Sequence, residues 1–205
     1  MGRPVAKRGE GRSRLLQAAL DLFALHGVNG TSLQMIADSL GVTKAAVYHQ
    51  FPSKAEIVLA VTAPAIEQLE TVAATAERAP TAAARFEAAL TGLVASALEN
   101  RQFSAAMQRD PEVLRILEDR TAFRDLMTRI DTALLGQHPP REARAALALA
   151  GGGLLVSAVN PAVNELPVED LRRVFTETMR RALEPYAATA AEDAPTSPAA
   201  SLPAG

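Results

Sequence analysis

The chain repeats one pattern from residue 11 onward: apolar side chains three and four positions apart, punctuated by Gly, Pro, Ser and Thr. That spacing reads as helix throughout. A first helix over 11–26 carries Leu15, Ala19, Leu22 and Phe23 on one face and closes at Gly27. Thr31, with Gln34 three residues on, fits a capping box that starts a second helix, whose apolar face is Leu33, Ile36, Ala37 and Leu40. Gly41 supplies the positive φ that ends it, and Val42 is expected to tuck beneath the turn. Thr43 then caps a short third helix with Val47 and Phe51 inward. Two short helices across a glycine turn make a helix-turn-helix. Ser53 and Glu56 form a second candidate capping box for a helix reaching about residue 79, in which Pro64 removes a backbone donor and predicts a kink over 61–64.

Downstream, 80–102 carries Phe86, Leu90, Leu93, Val94, Ala97 and Leu98, a short segment covers 102–109, and Asp110-Pro111 marks a break. Residues 112–135 read as one long amphipathic helix ending at Gly136. The helix over 141–159 is alanine-rich and contains Gly151, Gly152 and Gly153, which together cost about 2–3 kcal/mol of helix propensity against alanine. Either close packing against a helix of a second subunit recovers that cost, or the glycines mark a real break. Leu171, Val174, Phe175, Met179 and Leu183 line a last helix over 168–186. The expected fold is all-α with about nine helices: a three-helix unit over 11–56 and a second helical domain over 57–186. A basic arm (1–10) and an Ala/Pro/Ser/Thr-rich tail (187–205) are expected to be disordered.

Composition narrows the chemistry. The 205 residues include no cysteine and only three histidines, at scattered positions, so no thiolate chemistry, disulfide, metal cluster or cofactor is expected. No nucleophile–base pair is apparent, and the three glycines lack the lysine and strand context of a phosphate loop, which disfavours an enzyme. No unbroken apolar run approaches a membrane span, and the basic N-terminus leads into an amphipathic helix, so a cytoplasmic protein without a membrane partner is expected.

The net charge of −2 conceals an asymmetry: residues 1–54 hold seven Lys or Arg against three Asp or Glu, and the remainder carries −6. Phosphate would attract the N-terminal end and be repelled by the rest. The outward face of the third helix, with Thr43, Lys44, Ala45, Tyr48 and His49, suits a major groove, because small residues allow close approach beside a cation and hydrogen-bonding side chains. Lys44 is placed to read guanine and Thr43 or Ala45 a base edge, while Tyr48, His49, Lys54 and Thr31 or Ser32 position phosphates. Lys54 sits in the first turn of a helix, where a cation opposes the dipole and a phosphate would relieve the conflict. Arg3, Lys7 and Arg8 of the arm are further candidates.

The run IADSLGVTKAAVYHQFPSKAEI resembles the DNA-binding signature of the tetracycline-repressor (TetR) family, through its isoleucine-alanine pair, Gly41-Val42, and the spacing of Tyr48, Phe51 and Lys54. The resemblance covers about residues 11–60. It implies a homodimer formed through 141–159 and 168–186, a pseudo-palindromic double-stranded DNA operator, and a fourth helix that relays the binding of a small-molecule effector. Candidate pocket residues are Phe86, Leu90, Phe103, Met107, Leu117, Phe123 and Met127, which favour a medium-sized hydrophobic ligand. Alternatives are a DNA-binding regulator controlled by a protein partner or by abundance, an enzyme with catalysis in the C-terminal domain, and a helical scaffold.

Overall fold

The computed structural model describes residues 10–163 and 165–187. Arg3, Lys7, Arg8 and the tail beyond Ala187 lie outside the described residues. Among the described residues ten α-helices follow one another: α1 (Glu10–Gly30), α2 (Leu33–Leu40), α3 (Lys44–Gln50), α4 (Lys54–Arg78), α5 (Ala82–Glu99), α6 (Arg101–Arg109), α7 (Pro111–Glu118), α8 (Thr121–Leu135), α9 (Arg141–Ala158) and α10 (Val168–Ala187). The extra helix comes from 112–135, which is two helices rather than one. Arg120 takes extended φ/ψ between them. The apolar spacing runs through this joint without Gly or Pro, which is why it reads as continuous; the chain passes from one core to the other just beyond it, within α8. Val113, Ile116, Leu117 and Phe123 pack with the N-terminal helices, whereas Leu126, Ile130, Leu134 and Leu135 pack with the C-terminal ones.

Two apolar clusters therefore organise the molecule. The head is built on Leu15, Ala19, Phe23, Ile36, Val47, Phe51, Ile57 and Val58 and is completed by α7. The body gathers α5, the rest of α8, α9 and α10 around Leu90, Val94, Leu126, Ile130, Leu154 and Leu183. Each large side chain fully buried in this way stabilises by about 1.5–3 kcal/mol. α4 belongs to both, with Ile57 and Val58 in the head and Ala73 and Ala76 in the body; Ile66 and Met127 touch both clusters. α4 continues as one helix through Pro64.

By length and mean hydropathy alone α4 is long and apolar enough to cross a membrane, but its apolar run is broken by charges, as the sequence shows. Its interruptions are residues such as Glu70 and Glu77, which are tied to the body: Arg129 of α8 donates to both at 2.6 Å. Arg180 of α10 donates in the same way to Glu87 of α5. Such partly exposed pairs contribute at most about 1 kcal/mol each, but they fix how the helices lie against one another.

α9 runs unbroken through Gly151, Gly152 and Gly153, so the glycines do not mark a break. Within the protomer, a Cβ added at any of the three would meet nothing within 4 Å.

Candidate nucleic-acid interface and the adjoining cavity

Local capping holds the helix-turn-helix in place. Ser32 Oγ accepts from the Met35 N–H at 3.1 Å and starts α2. Thr31, read as the cap from its spacing to Gln34, is instead buried: its hydroxyl donates to the Gly27 carbonyl at 2.7 Å and ties α2 to the end of α1. Ser32 is exposed at the head surface, while Thr31 is not available to a phosphate. Gly41 takes the left-handed conformation (φ 64°) and donates to the Ala37 and Asp38 carbonyls, closing α2. Val42 does not tuck under the turn; it is 43% exposed, and its backbone N–H makes the local bond, to the Ala37 carbonyl at 3.0 Å.

Thr43 Oγ1 accepts from the Ala46 N–H at 3.2 Å and starts α3. Val47 and Phe51 anchor that helix in the head core. Anchoring through these two positions turns Thr43, Lys44, Ala45, Tyr48 and His49 to solvent together, with Tyr48 57% exposed. The guanidinium of Arg12 in α1 sits 5.0 Å from the centre of the Phe51 ring, adding a cation beside the C-terminal end of α3. Sequence reasoning did not single out Arg12. Its signal was the one applied to Lys54, a cation in the first turn of a helix.

Lys54 is placed differently from that expectation. Its Nζ donates to the Val28 carbonyl at 2.9 Å, and its charge lies near Asp110, so the conflict with the α4 dipole is met inside the protein rather than by a phosphate. Asp110 is buried and joins three segments. It caps α7 by accepting from the Glu112 N–H at 2.9 Å and also accepts from the Asn29 N–H at 2.6 Å. Burial would raise its pKa, but the bonds from the Asn29, Glu112 and Val28 N–H groups and the Lys54 charge outweigh that and hold the carboxyl below its ordinary value. Gly27 makes the fit possible: at φ 74°, a Cβ there would stand 3.1 Å from the Asp110 carboxylate. The sequence marks a break at Asp110-Pro111 but gives no sign of the partner 81 residues away.

Residues 15–61, which span this three-helix unit and the start of α4, match the family described as "Bacterial regulatory proteins, tetR family". That N-terminal unit is a TetR-family DNA-binding domain. The HTH-type transcriptional regulator SrpR of Pseudomonas putida is 42% identical over 65 residues, 32% of this chain and 30% of that protein. The probable acrEF/envCD operon repressor of Escherichia coli K12 is 32% identical over 120 residues, 57% of this chain and 50% of that one. The matches thus span no more than about half the length of these curated relatives. The crystal structure of Mycobacterium smegmatis AmtR aligns with a TM-score of 0.62 at 25% identity, covering 87% of this chain and 89% of that one. TetR-family structures thus share the all-helical fold as well as the N-terminal motif.

Beyond that unit the body holds a cavity of about 590 Å³, within the range of small-molecule sites. α4, α5, α6, α7, α8, α9 and α10 all contribute to its wall, through Leu69, Leu93, Ser104, Leu114, Ile130, Leu155 and Met179 among others. Of the pocket residues expected from the sequence, Phe103, Phe123 and Met127 line it. Phe86, Leu90 and Leu117 do not; they are buried in the two cores, where an apolar residue at helical spacing most often ends up. The side chain of Met107 lies outside the described residues. Glu118, Asp131 and Arg144 stand at the cavity's exposed margin. Partial desolvation at the cavity wall raises the pKa of Asp131, against the opposing charge of Arg144.

Proposed function

We propose that this chain is a homodimeric regulator that binds a pseudo-palindromic operator through α3 and releases it when a small, largely apolar effector occupies the body cavity. One observation carries the DNA-binding part: Val47 and Phe51 fix α3 from beneath, leaving Lys44, Ala45, Tyr48 and His49 exposed on one short helix at the basic end of the chain. Lys44 and Ala45 at its N-terminal end reach base edges, and Tyr48, His49 and Ser32 take phosphates, with Arg12 as a further cation.

The cavity supports effector control because its wall includes the parts that hold the head. Leu114 and Phe123 line it from α7 and α8, Leu69 lines it from α4, and Asp110 at the start of α7 grips the end of α1. A ligand that displaces α7 or α4 moves the head, and it favours release to the extent that it binds the two head positions with different affinity.

The test is binding to DNA fragments from beside the protein's own gene, against unrelated DNA, at physiological salt. A preference of about a thousandfold or more, with a two-fold symmetric footprint, is expected. Lys44→Ala removes about 1–3 kcal/mol of discrimination at one base pair of each half-site, whereas Tyr48→Phe weakens binding to all sequences alike. Equal binding of the wild type to both sets of DNA refutes the operator reading.

A further inference from the structure

Ser104, in the middle of α6, is fully buried, and its Oγ is the one buried side-chain polar atom without a hydrogen-bond partner among the described residues. The usual remedy for a hydroxyl on a helix is a bond back to the carbonyl four residues earlier. This protein uses that remedy repeatedly: Thr62, Thr71, Thr75, Thr91, Thr128 and Thr132 all donate to it. Ser104 does not. Its backbone N–H bonds the Asn100 carbonyl at 3.0 Å, while its side chain lines the cavity. A buried hydroxyl left without a partner is destabilising, and alanine at the same place would carry no such cost.

The rest of the cavity limits what could satisfy it. Among the described residues, the buried lining around Ser104 is hydrocarbon apart from Ser96, whose hydroxyl already accepts from the Asn100 side-chain amide, and the charged groups stand at the exposed margin, where Glu118 and Asp131 oppose the cation Arg144. An anionic head group would meet excess negative charge there and, among the described side chains, no cation inside. A cationic head group would find no carboxylate beside Ser104.

Resting on the reading of this cavity as the effector site, we propose that its ligand is an uncharged, mostly hydrocarbon molecule with one hydroxyl or carbonyl oxygen, and that this oxygen hydrogen-bonds Ser104 Oγ. Ser104 thereby selects for an oxygen within an otherwise apolar site.

The experiment titrates the full-length protein and Ser104→Ala calorimetrically with three probes of one chain length, 1-decanol, decanoate and decylamine. Separately, the neutral apolar dye Nile red is bound and displaced. Decanol should bind the wild type most tightly and lose about tenfold in affinity in Ser104→Ala, the equivalent of one hydrogen bond. The variant without ligand should melt no lower than the wild type. Tightest binding of decanoate or decylamine overturns the uncharged class, and decanol binding that Ser104→Ala leaves unchanged overturns the role of Ser104. Nile red that binds but is not displaced by decanol overturns this proposal while leaving the cavity a ligand site. Nile red that does not bind the wild type overturns the effector reading beneath it.

Discussion

Asp110 shows how much one side chain can carry when its partners lie far away in sequence. One carboxylate caps α7 and also takes the Asn29 N–H from the end of α1. Replacing it by alanine leaves those buried donors unpaired, an expected loss of about 1–3 kcal/mol in urea unfolding, and loosens the attachment of head to α7. The dependence on pH follows from the sign of the shift. Because the folded-state pKa is held below the ordinary value of about 3.9, the stability it contributes is fully present above that pH and is lost as pH falls through the lower folded value. The stability gap between wild type and Asp110→Asn should therefore be constant near neutrality and narrow below about pH 4. A gap that widens on acidification would mean that the carboxyl is protonated in the fold.

Among the elements, what could be read from the sequence was what local chemistry determines. α3 needed only Thr43 as cap and Val47 and Phe51 at helical spacing, and its exposed face followed. The joint between α7 and α8 did not show, because periodicity carries through Arg120 with no Gly or Pro to mark it. Thr31 was misread as the cap and the carbonyl partner of Lys54 went unseen for a related reason: a threonine near a helix start and a lysine in a first turn each have an external and an internal solution, and the internal ones depend on carbonyls of α1. The cavity was half legible, since Phe103 and Phe123 line it but sequence spacing cannot separate a cavity wall from a filled core. Helix contacts add one prediction that sequence does not suggest. A Cβ at Gly92 of α5 would fall 2.6 Å from a methyl of Val72 of α4, and a β-branched side chain cannot swing aside. Gly92→Ala should cost about 1–3 kcal/mol despite alanine's better helix propensity, measured by chemical denaturation. A stabilised variant would show that α4 and α5 can separate freely.

For the whole molecule, the question is what covers α9. Its Ala143, Leu154 and Ala158 face the body, whereas Leu149 is 79% and Val156 53% exposed, with the exposed Gly152 and Gly153 between them. A single protomer therefore leaves an apolar stripe in water on a helix that already carries three glycines and yet does not break. A second copy of the same face meets both needs, because glycines let two helix backbones approach closely and the apolar residues on either side lose contact with water. Val174 of α10, a helix that packs against α9, is also 43% exposed. Leu149→Glu separates this role from folding: at so exposed a position the substitution should leave helical content and the protomer's own packing almost unchanged. Sedimentation should then show a monomer where the wild type is a dimer. Operator affinity should fall toward that of one half-site, because two heads bind as a unit only when something holds them at a fixed spacing. A variant that stays dimeric would place the interface elsewhere on the body and leave the glycines of α9 to the cavity alone, whose wall Gly151 and Gly152 also form.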